Sequence, residues 1–128
     1  MRHMLSDTGL LLLERLHKQF KEHGKLVIAF DFDDTVYPYT WDLEYIIPVR
    51  YALVEEAKAR GHILVCYTAN DDYAKVSQYL DYHGLTPDFY NESPVASKGK
   101  IFYNIFLDDK CGLHEALTIL NIFLEETK

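Results

Sequence analysis

One pattern along the chain restricts the folds available to it: an amphipathic stretch that ends in glycine is followed by a short apolar run. The pattern occurs at Gly24 and at Gly61, and a weaker copy occurs at Gly84. Glycine just after a helical stretch predicts a helix C-terminus, because glycine adopts the left-handed conformation without a Cβ clash. Short, continuous apolar runs are typical of buried parallel strands. The alternation predicts an α/β three-layer sandwich with a mainly parallel, Rossmann-like sheet.

The same pattern predicts where the individual elements lie. Strands are expected at 25–30, 62–67, 85–90 and 101–107. Helices are expected from Ser6 or Asp7 to about His23, from Thr40 or Asp42 onward, from Asn70 as the cap to His83, and from about Leu113 to Leu124. Pro48 is expected to break the second helix near its beginning.

Length and composition bound the class of protein. The 128 residues fit one domain, with an N-terminal helix in 1–24, a core in 25–112 and a C-terminal helix in 113–128. No apolar run is long enough for a membrane span, and two cysteines do not suggest a disulfide framework, so we expect a cytoplasmic protein without a membrane partner. The net charge of −7 argues against strong binding to duplex nucleic acid.

Polar side chains follow three of the predicted strands. Asp31 and Asp33 follow the first strand, and in an extended chain they face the same way, about 7 Å apart. Two carboxylates that converge at a buried strand end are costly unless a cation or a proton offsets them. Thr68 follows the second strand, and Asp108 and Asp109 follow the fourth. Because ligands of such folds bind at the carboxyl ends of the strands, these residues are the candidate site.

The residue types in this set point to phosphate chemistry. Clustered carboxylates suit Mg²⁺, which typically binds one or two carboxylates together with substrate phosphate and water. A threonine hydroxyl and a lysine ammonium suit phosphate oxygens. Lys98 and Lys100 both precede the fourth strand, and the spacing favours Lys100. Such a site permits attack by a carboxylate on phosphorus, with a second carboxyl group to protonate the leaving group.

Four segments, in order, resemble the motifs of the haloacid dehalogenase (HAD) superfamily of phosphohydrolases. Asp31-Phe-Asp-Asp-Thr35 resembles its Asp-x-Asp-x-Thr signature after a hydrophobic strand, and Thr68 resembles its second motif. Lys100 resembles the lysine motif, and Asp108-Asp109 resembles the acidic fourth motif. The resemblance spans roughly residues 25–112 and implies a phosphatase that cleaves phosphate monoesters through an aspartyl-phosphate intermediate.

The resemblance also implies a role for each matching residue. Asp31 is expected to be the nucleophile, and Asp33 the general acid that later becomes the base activating water. Thr68 and Lys100 are expected to bind the phosphoryl oxygens.

The implied metal is Mg²⁺, and its ligands come from the same loops. Asp31, the main-chain carbonyl of Asp33 and Asp108 are the expected ligands, with Asp109 near the water shell. Asp34 is expected to cap or support the loop.

An aromatic segment, Tyr37-Pro-Tyr-Thr-Trp41, follows the first motif. One interpretation is that it packs as the base of a flap. The other is that Tyr37, Tyr39 or Trp41 contacts the substrate, for example by stacking on a ring. The sequence leaves both interpretations open.

The motif spacing leaves no room for a cap domain. Asp33 and Thr68 lie 35 positions apart, and Thr68 and Lys100 lie 32 apart. The resemblance therefore implies a capless member with an open site, which acts on phosphorylated macromolecules or forms a homo-oligomer that covers the site; small phosphate esters also remain open as substrates. Two alternatives are a phospho-receiver signalling domain, which the order of Thr68, Lys100 and Asp108 disfavours, and an inactive binding module.

Overall fold

The computed structural model describes residues 1–128 and contains one parallel sheet of four strands in the order β3-β2-β1-β4. The strands are β1 (Val27–Phe30), β2 (Ile63–Cys66), β3 (Phe89–Tyr90) and β4 (Ile105–Leu107). Each predicted strand exists but is shorter than its apolar run. Phe30 pairs with Cys66 on one side and with Leu107 on the other, so three strands end at the same level. The α/β class and the parallel sheet are confirmed.

The four helices also lie where the sequence predicts them. They are α1 (Asp7–His23), α2 (Leu43–Tyr51), α3 (Tyr73–Tyr82) and α4 (Leu113–Glu126). A 3₁₀ turn (Arg2–Met4) precedes α1, and α2 continues as a π-helical segment (Ala52–Ala57) and a 3₁₀ turn (Lys58–Arg60). None of the helices combines the length and the hydropathy needed to cross a membrane.

Helix boundaries follow the capping signals with two differences. The Ser6 hydroxyl accepts the N–H of Gly9 at 3.1 Å, and Gly24 ends α1 in the left-handed conformation with a φ of 79°. α3 is capped by Asp72, whose carboxylate accepts the N–H of Lys75 at 3.2 Å, and not by the predicted Asn70. Pro48 lies inside α2 without ending it. The missing N–H of Pro48 removes one intrahelical bond, and the chain stays helical past it through Ala52–Ala57 and Lys58–Arg60.

The two faces of the sheet are covered differently. On one face, side chains such as Ile28, Phe30 and Leu64 share a cluster with residues of all four helices. On the other face, Val27, Ala29 and Val65 pack with Ile63, Phe89, Ile101, Tyr103 and Phe106, and with no helix. The third layer is therefore coil and not the helical layer that the sandwich prediction implies. The crossing segment 91–104 contains proline, glycine and serine without helical periodicity, which explains why no helix forms there.

A buried histidine joins β2 to the start of β1. The Nδ1 atom of His62 accepts the N–H of Leu26 at 2.9 Å, and the ring lies against Phe20 and Phe123. Burial, together with the nearby charge of Arg60, lowers the pKa of His62. Protonation of Nδ1 would remove the acceptor from this hydrogen bond.

This arrangement predicts a pH-dependent contribution to stability. Because the pKa of His62 is lower in the folded than in the unfolded state, the unfolded chain binds more protons, and the free energy of unfolding falls as the pH drops below about 6.5. The loss is about the value of one hydrogen bond, ~1 kcal/mol. His62→Asn keeps an acceptor oxygen without the titration, so we expect a smaller loss between pH 7.5 and pH 5 in urea unfolding followed by circular dichroism. Equal losses in the two proteins would contradict this role of His62.

Candidate active site

A cavity of about 340 Å³ lies at the carboxyl ends of the strands. The common level at which β1, β2 and β4 end explains why the loops that follow them meet here. The structure thus brings together Asp31, Asp33 and Thr68, as the sequence predicts. The complete lining is Asp31, Asp33, Asp34, Tyr39, Thr40, Thr68, Ala69, Asn70, Asp109 and Lys110.

Three carboxylates from two neighbouring strands form an acidic trio, Asp31, Asp108 and Asp109. One carboxylate oxygen from each lies within 4.8 Å of the others. Two hydrogen bonds fix the loops that carry them: the N–H of Asp31 donates to the carbonyl of Leu107 at 2.9 Å, and the N–H of Asp109 donates to the hydroxyl of the buried Thr35 at 3.2 Å. In the sequence, Thr35 is distinguished only as the last residue of the Asp31-Phe-Asp-Asp-Thr35 motif. This hydrogen bond gives it a structural role.

Burial and the neighbouring charge of Asp108 disfavour the ionised forms of Asp31 and Asp109. Burial raises the pKa of Asp31, and the charge of Asp108 adds to the rise, while hydrogen bonds from the Phe32 N–H and the Thr68 hydroxyl oppose it. Burial also raises the pKa of Asp109 to about 6, with Asp108 as the second cause. The trio therefore concentrates negative charge that the rest of the site does not neutralise.

The donors of the trio fit a divalent cation. The Oδ1 atom of Asp109 is buried and has no hydrogen-bond partner. A cation would supply that partner and would offset the repulsion among the three carboxylates. A set of carboxylate oxygens is the ligand type of hard cations such as Mg²⁺. Of the expected ligands, Asp31 and Asp108 lie in the trio, Asp109 joins them, and the carboxylate of Asp33 does not.

Asp33 contacts the side-chain amide of Asn70, a residue that the sequence predicts only as a helix cap. The Nδ2 atom of Asn70 donates to Oδ2 of Asp33 at 3.3 Å. The Oδ1 atom of Asp33 is buried and has no partner. The only signal for Asn70 in the sequence is its position two residues after Thr68, at the same strand end.

Asp34 supports the loop after β1, as expected, and faces the turn that follows it. Its backbone is left-handed, with a φ of 56°. Its carboxylate accepts the N–H groups of Tyr39, Thr40 and Trp41 at 3.1, 2.7 and 2.9 Å, and also the Thr40 hydroxyl. Burial opposes ionisation, but these hydrogen bonds outweigh it and lower the pKa of Asp34.

The residues of the aromatic segment differ in whether they pack as a flap base or line the cavity. Tyr37 stacks on Phe32 at 4.9 Å and meets Tyr79 edge-on at 4.8 Å, which is the packing role expected of a flap base. Tyr39 is 68% exposed and lines the acidic cavity, whereas Trp41 is 41% exposed and lies outside the lining. Tyr39 is therefore the aromatic residue of this segment that the structure places on the acidic cavity.

The structure does not bring the predicted lysine into the cavity. Lys100 lies along a separate cavity of about 290 Å³ with Ile101 and Phe102. The exposed Lys98 lies in neither lining. Lys110 lines the acidic cavity instead, and its N–H donates to Oδ1 of Asp108 at 3.0 Å. Lys100 belongs to the coil segment 91–103, in which no residue is buried, so the sheet does not fix its position. Lys110 directly follows the paired strand β4 and its acids, and that strand therefore sets its position.

Comparison with family models finds no match, and neither do searches of the curated proteins and of the solved structures. The class that the fold and site define therefore rests on geometry. It is an α/β protein with a four-stranded parallel sheet and, at the strand ends, a cluster of three carboxylates beside an acidic cavity.

The repulsion within the trio predicts that removing one of its charges stabilises the cation-free protein and weakens the stabilisation that a cation provides. Asp109→Asn removes one repelling charge, so we expect thermal unfolding in EDTA to shift upward by a few degrees. Adding Mg²⁺ or Mn²⁺ should raise the midpoint of the unchanged protein by mass action, and this rise should be smaller or absent in Asp109→Asn. Differential scanning fluorimetry measures both shifts.

The matched control for this experiment is Glu55→Gln, which removes one exposed negative charge on the helix after α2, away from the cavity. It should leave both the midpoint in EDTA and the cation-dependent rise unchanged. A cation-dependent rise that survives intact in Asp109→Asn would show that the trio is not where the cation binds.

Proposed function

We propose that this chain is a Mg²⁺-dependent phosphohydrolase of the HAD type that cleaves phosphate monoesters through an aspartyl-phosphate intermediate. The observation that carries the proposal is the cavity lined by Asp31, Asp33 and Asp109, together with the cluster that the carboxylates of Asp31 and Asp109 form with that of Asp108. A nucleophile, an acid–base group and a cation site are the three components that this reaction requires. The order of Asp31, Thr68 and Asp108-Asp109 along the chain supports the same assignment.

The reaction has two balanced steps. In the first, a carboxylate oxygen of Asp31 attacks phosphorus, the bond from phosphorus to the ester oxygen breaks, and Asp33 gives its proton to that oxygen as the alcohol leaves. In the second, Asp33 takes a proton from water, the water oxygen attacks phosphorus, and the bond between phosphorus and Asp31 breaks. Inorganic phosphate leaves, and both carboxyl groups return to their initial states.

Positive charge is needed before a phosphate dianion enters a site built from acids. Asp31 and Asp108, with Asp109 and the main-chain carbonyl of Asp33 beside them, would hold Mg²⁺, which supplies charge neutralisation and polarises a phosphoryl oxygen when bound. The Thr68 hydroxyl lies at the same strand end for a phosphoryl oxygen. Lys110 is the one lysine among the residues of the cavity lining, and we assign it the phosphate contact that the resemblance gives to Lys100.

The surroundings of the cavity support an open, capless site. The segment from Asp33 to Thr68 consists of a loop, α2 with its extensions and β2, and the segment from Thr68 to Lys100 holds α3 and β3. Tyr39 lies on the lining as the contact for the leaving group. The proposed substrates are phosphorylated macromolecules or small phosphate esters in a cytoplasmic setting.

Loss of the nucleophile predicts loss of turnover. Asp31→Asn should reduce phosphate release from a panel of phosphate esters by at least about 10³-fold, because the amide cannot form the intermediate. EDTA should abolish the activity of the unchanged protein, and Mg²⁺ should restore it. Activity that survives Asp31→Asn would refute the nucleophile. Labelling by acetyl phosphate without any ester turnover would instead favour the phospho-receiver alternative.

The two lysines predict different outcomes on substitution. Lys110→Met removes the positive charge of the one lysine in the cavity lining, so we expect kcat/KM to fall by about 10-fold or more. Lys100→Met removes a charge outside that lining and should change kcat/KM by less than about threefold. Steady-state kinetics with one ester compares the two variants directly. A larger loss for Lys100→Met would return the phosphate contact to the lysine that the motif order assigns.

A further inference from the structure

We propose that Asn91 is a positioning residue for Thr68, because its side-chain oxygen fixes the main chain of Thr68 and thereby holds the Thr68 hydroxyl in place for a phosphoryl oxygen. The inference rests on the proposed function, since it concerns a phosphate contact of that site. Asn91 is exposed and is not part of the cavity lining, so the role that we assign to it acts through Thr68.

Asn91 joins the loop after β3 to the end of β2 by two hydrogen bonds. Its N–H donates to the carbonyl of Cys66 at 2.8 Å, and its Oδ1 atom accepts the N–H of Thr68 at 2.8 Å. Between parallel strands, a residue bonds in this way to the two residues on either side of its partner, with its main-chain carbonyl as the acceptor. The side-chain oxygen of Asn91 therefore takes the place of the carbonyl that a longer β3 would supply.

The backbone conformation of Asn91 explains why a side chain fills this place. Its φ of 50° is left-handed, β3 ends at Tyr90, and the main-chain carbonyl of Asn91 makes no hydrogen bond to the N–H of Thr68. Asparagine and aspartate enter the left-handed region more readily than most residues with a Cβ, and both carry a short side-chain acceptor. One residue thus ends the strand and still holds the end of the neighbouring strand.

The bond to Asn91 restricts where the Thr68 hydroxyl lies at the cavity. That hydroxyl accepts the N–H of Asn70 at 3.1 Å and donates to the carboxylate of Asp31. Thr68 is thus held at its main chain by Asn91 and at its side chain by Asn70. A phosphoryl group that Asp31 attacks lies next to this hydroxyl, and a donor that is already held in place binds an anion with a smaller loss of conformational entropy.

The test measures the binding of inorganic phosphate, the product of the proposed reaction, by titration calorimetry in the presence of Mg²⁺. Asn91→Gly keeps the left-handed backbone and its N–H but removes the acceptor for Thr68. We expect the dissociation constant of phosphate to rise by about 10-fold, which is the lower value of one hydrogen bond to a charged group. An unchanged constant would overturn the proposal.

A double-mutant cycle shows whether this effect passes through the hydroxyl. Thr68→Val removes the hydroxyl and leaves the main chain, so adding Asn91→Gly to it should raise the dissociation constant by less than about twofold. Equal rises with Thr68 and with Thr68→Val would mean that Asn91 acts on the fold alone, and would also overturn the proposal.

Asp88→Ala is the matched control, because Asp88 supplies the same kind of side-chain acceptor near the other end of the pairing between β2 and β3. Its Oδ2 atom accepts the N–H of Leu64 at 2.8 Å, and neither residue lines the cavity. Asp88→Ala should lose about as much stability in urea as Asn91→Gly, while phosphate binding stays unchanged. A similar loss of phosphate binding in Asp88→Ala would show that weaker pairing of β3 is sufficient, and would contradict the specific role of Asn91.

A measurement on the Thr68 amide separates this inference from the proposed function. In ¹H–¹⁵N spectra, the amide proton of Thr68 should move upfield in Asn91→Gly, which lacks the acceptor, and should stay near its position in Asn91→Asp, which keeps one. An amide proton that does not move in Asn91→Gly would refute the contact. Phosphate binding that follows the expected pattern without any ester turnover would keep the role of Asn91 and reject the phosphatase.

Discussion

The parallel pairing of β1 with β4 is the constraint on which the candidate site depends. It places Asp31 beside the Asp108-Asp109 pair, although these residues are far apart in the chain. It also holds the three carboxylates together against their mutual repulsion. The hydrogen bonds Asp31 N–H to Leu107 and Asp109 N–H to Thr35 fix both loops. Burial of apolar side chains beneath the sheet supplies the free energy that keeps this arrangement assembled.

A second interaction orders the loop after β1 and the turn that follows it. The carboxylate of Asp34 accepts three consecutive backbone N–H groups, from Tyr39 to Trp41. The turn that carries Tyr39 is thereby fixed to the loop that carries Asp31 and Asp33. Asp31, Asp33 and Tyr39 consequently share one short stretch of chain, and the hydrogen bonds to Asp34 offset the cost of its left-handed backbone.

The helices and strands were predictable from local signals. The site was predictable only for those residues whose position is set by the ends of the strands. Gly24 predicts the end of α1 because the requirement is local, and Asp31 and Thr68 meet because strand ends coincide. The third layer was not predictable as coil, and neither was the position of Lys100, because both depend on how an irregular segment folds back over the sheet. Asn70 and Lys110 carry no motif, so only their contacts in three dimensions distinguish them from surface residues.

The coil layer over the second face gives the molecule unequal resistance to local unfolding. From 91 to 103 no residue is buried, and Ile101 and Tyr103 are its contacts with the cluster of Val27, Ala29 and Val65. Few apolar contacts mean a small free energy of local opening. Opening of this layer is therefore expected to cost less free energy than separation of the helices from the opposite face. Lys100 lies within the layer, whereas Lys110 follows β4, so the two lysines belong to regions of unequal local stability.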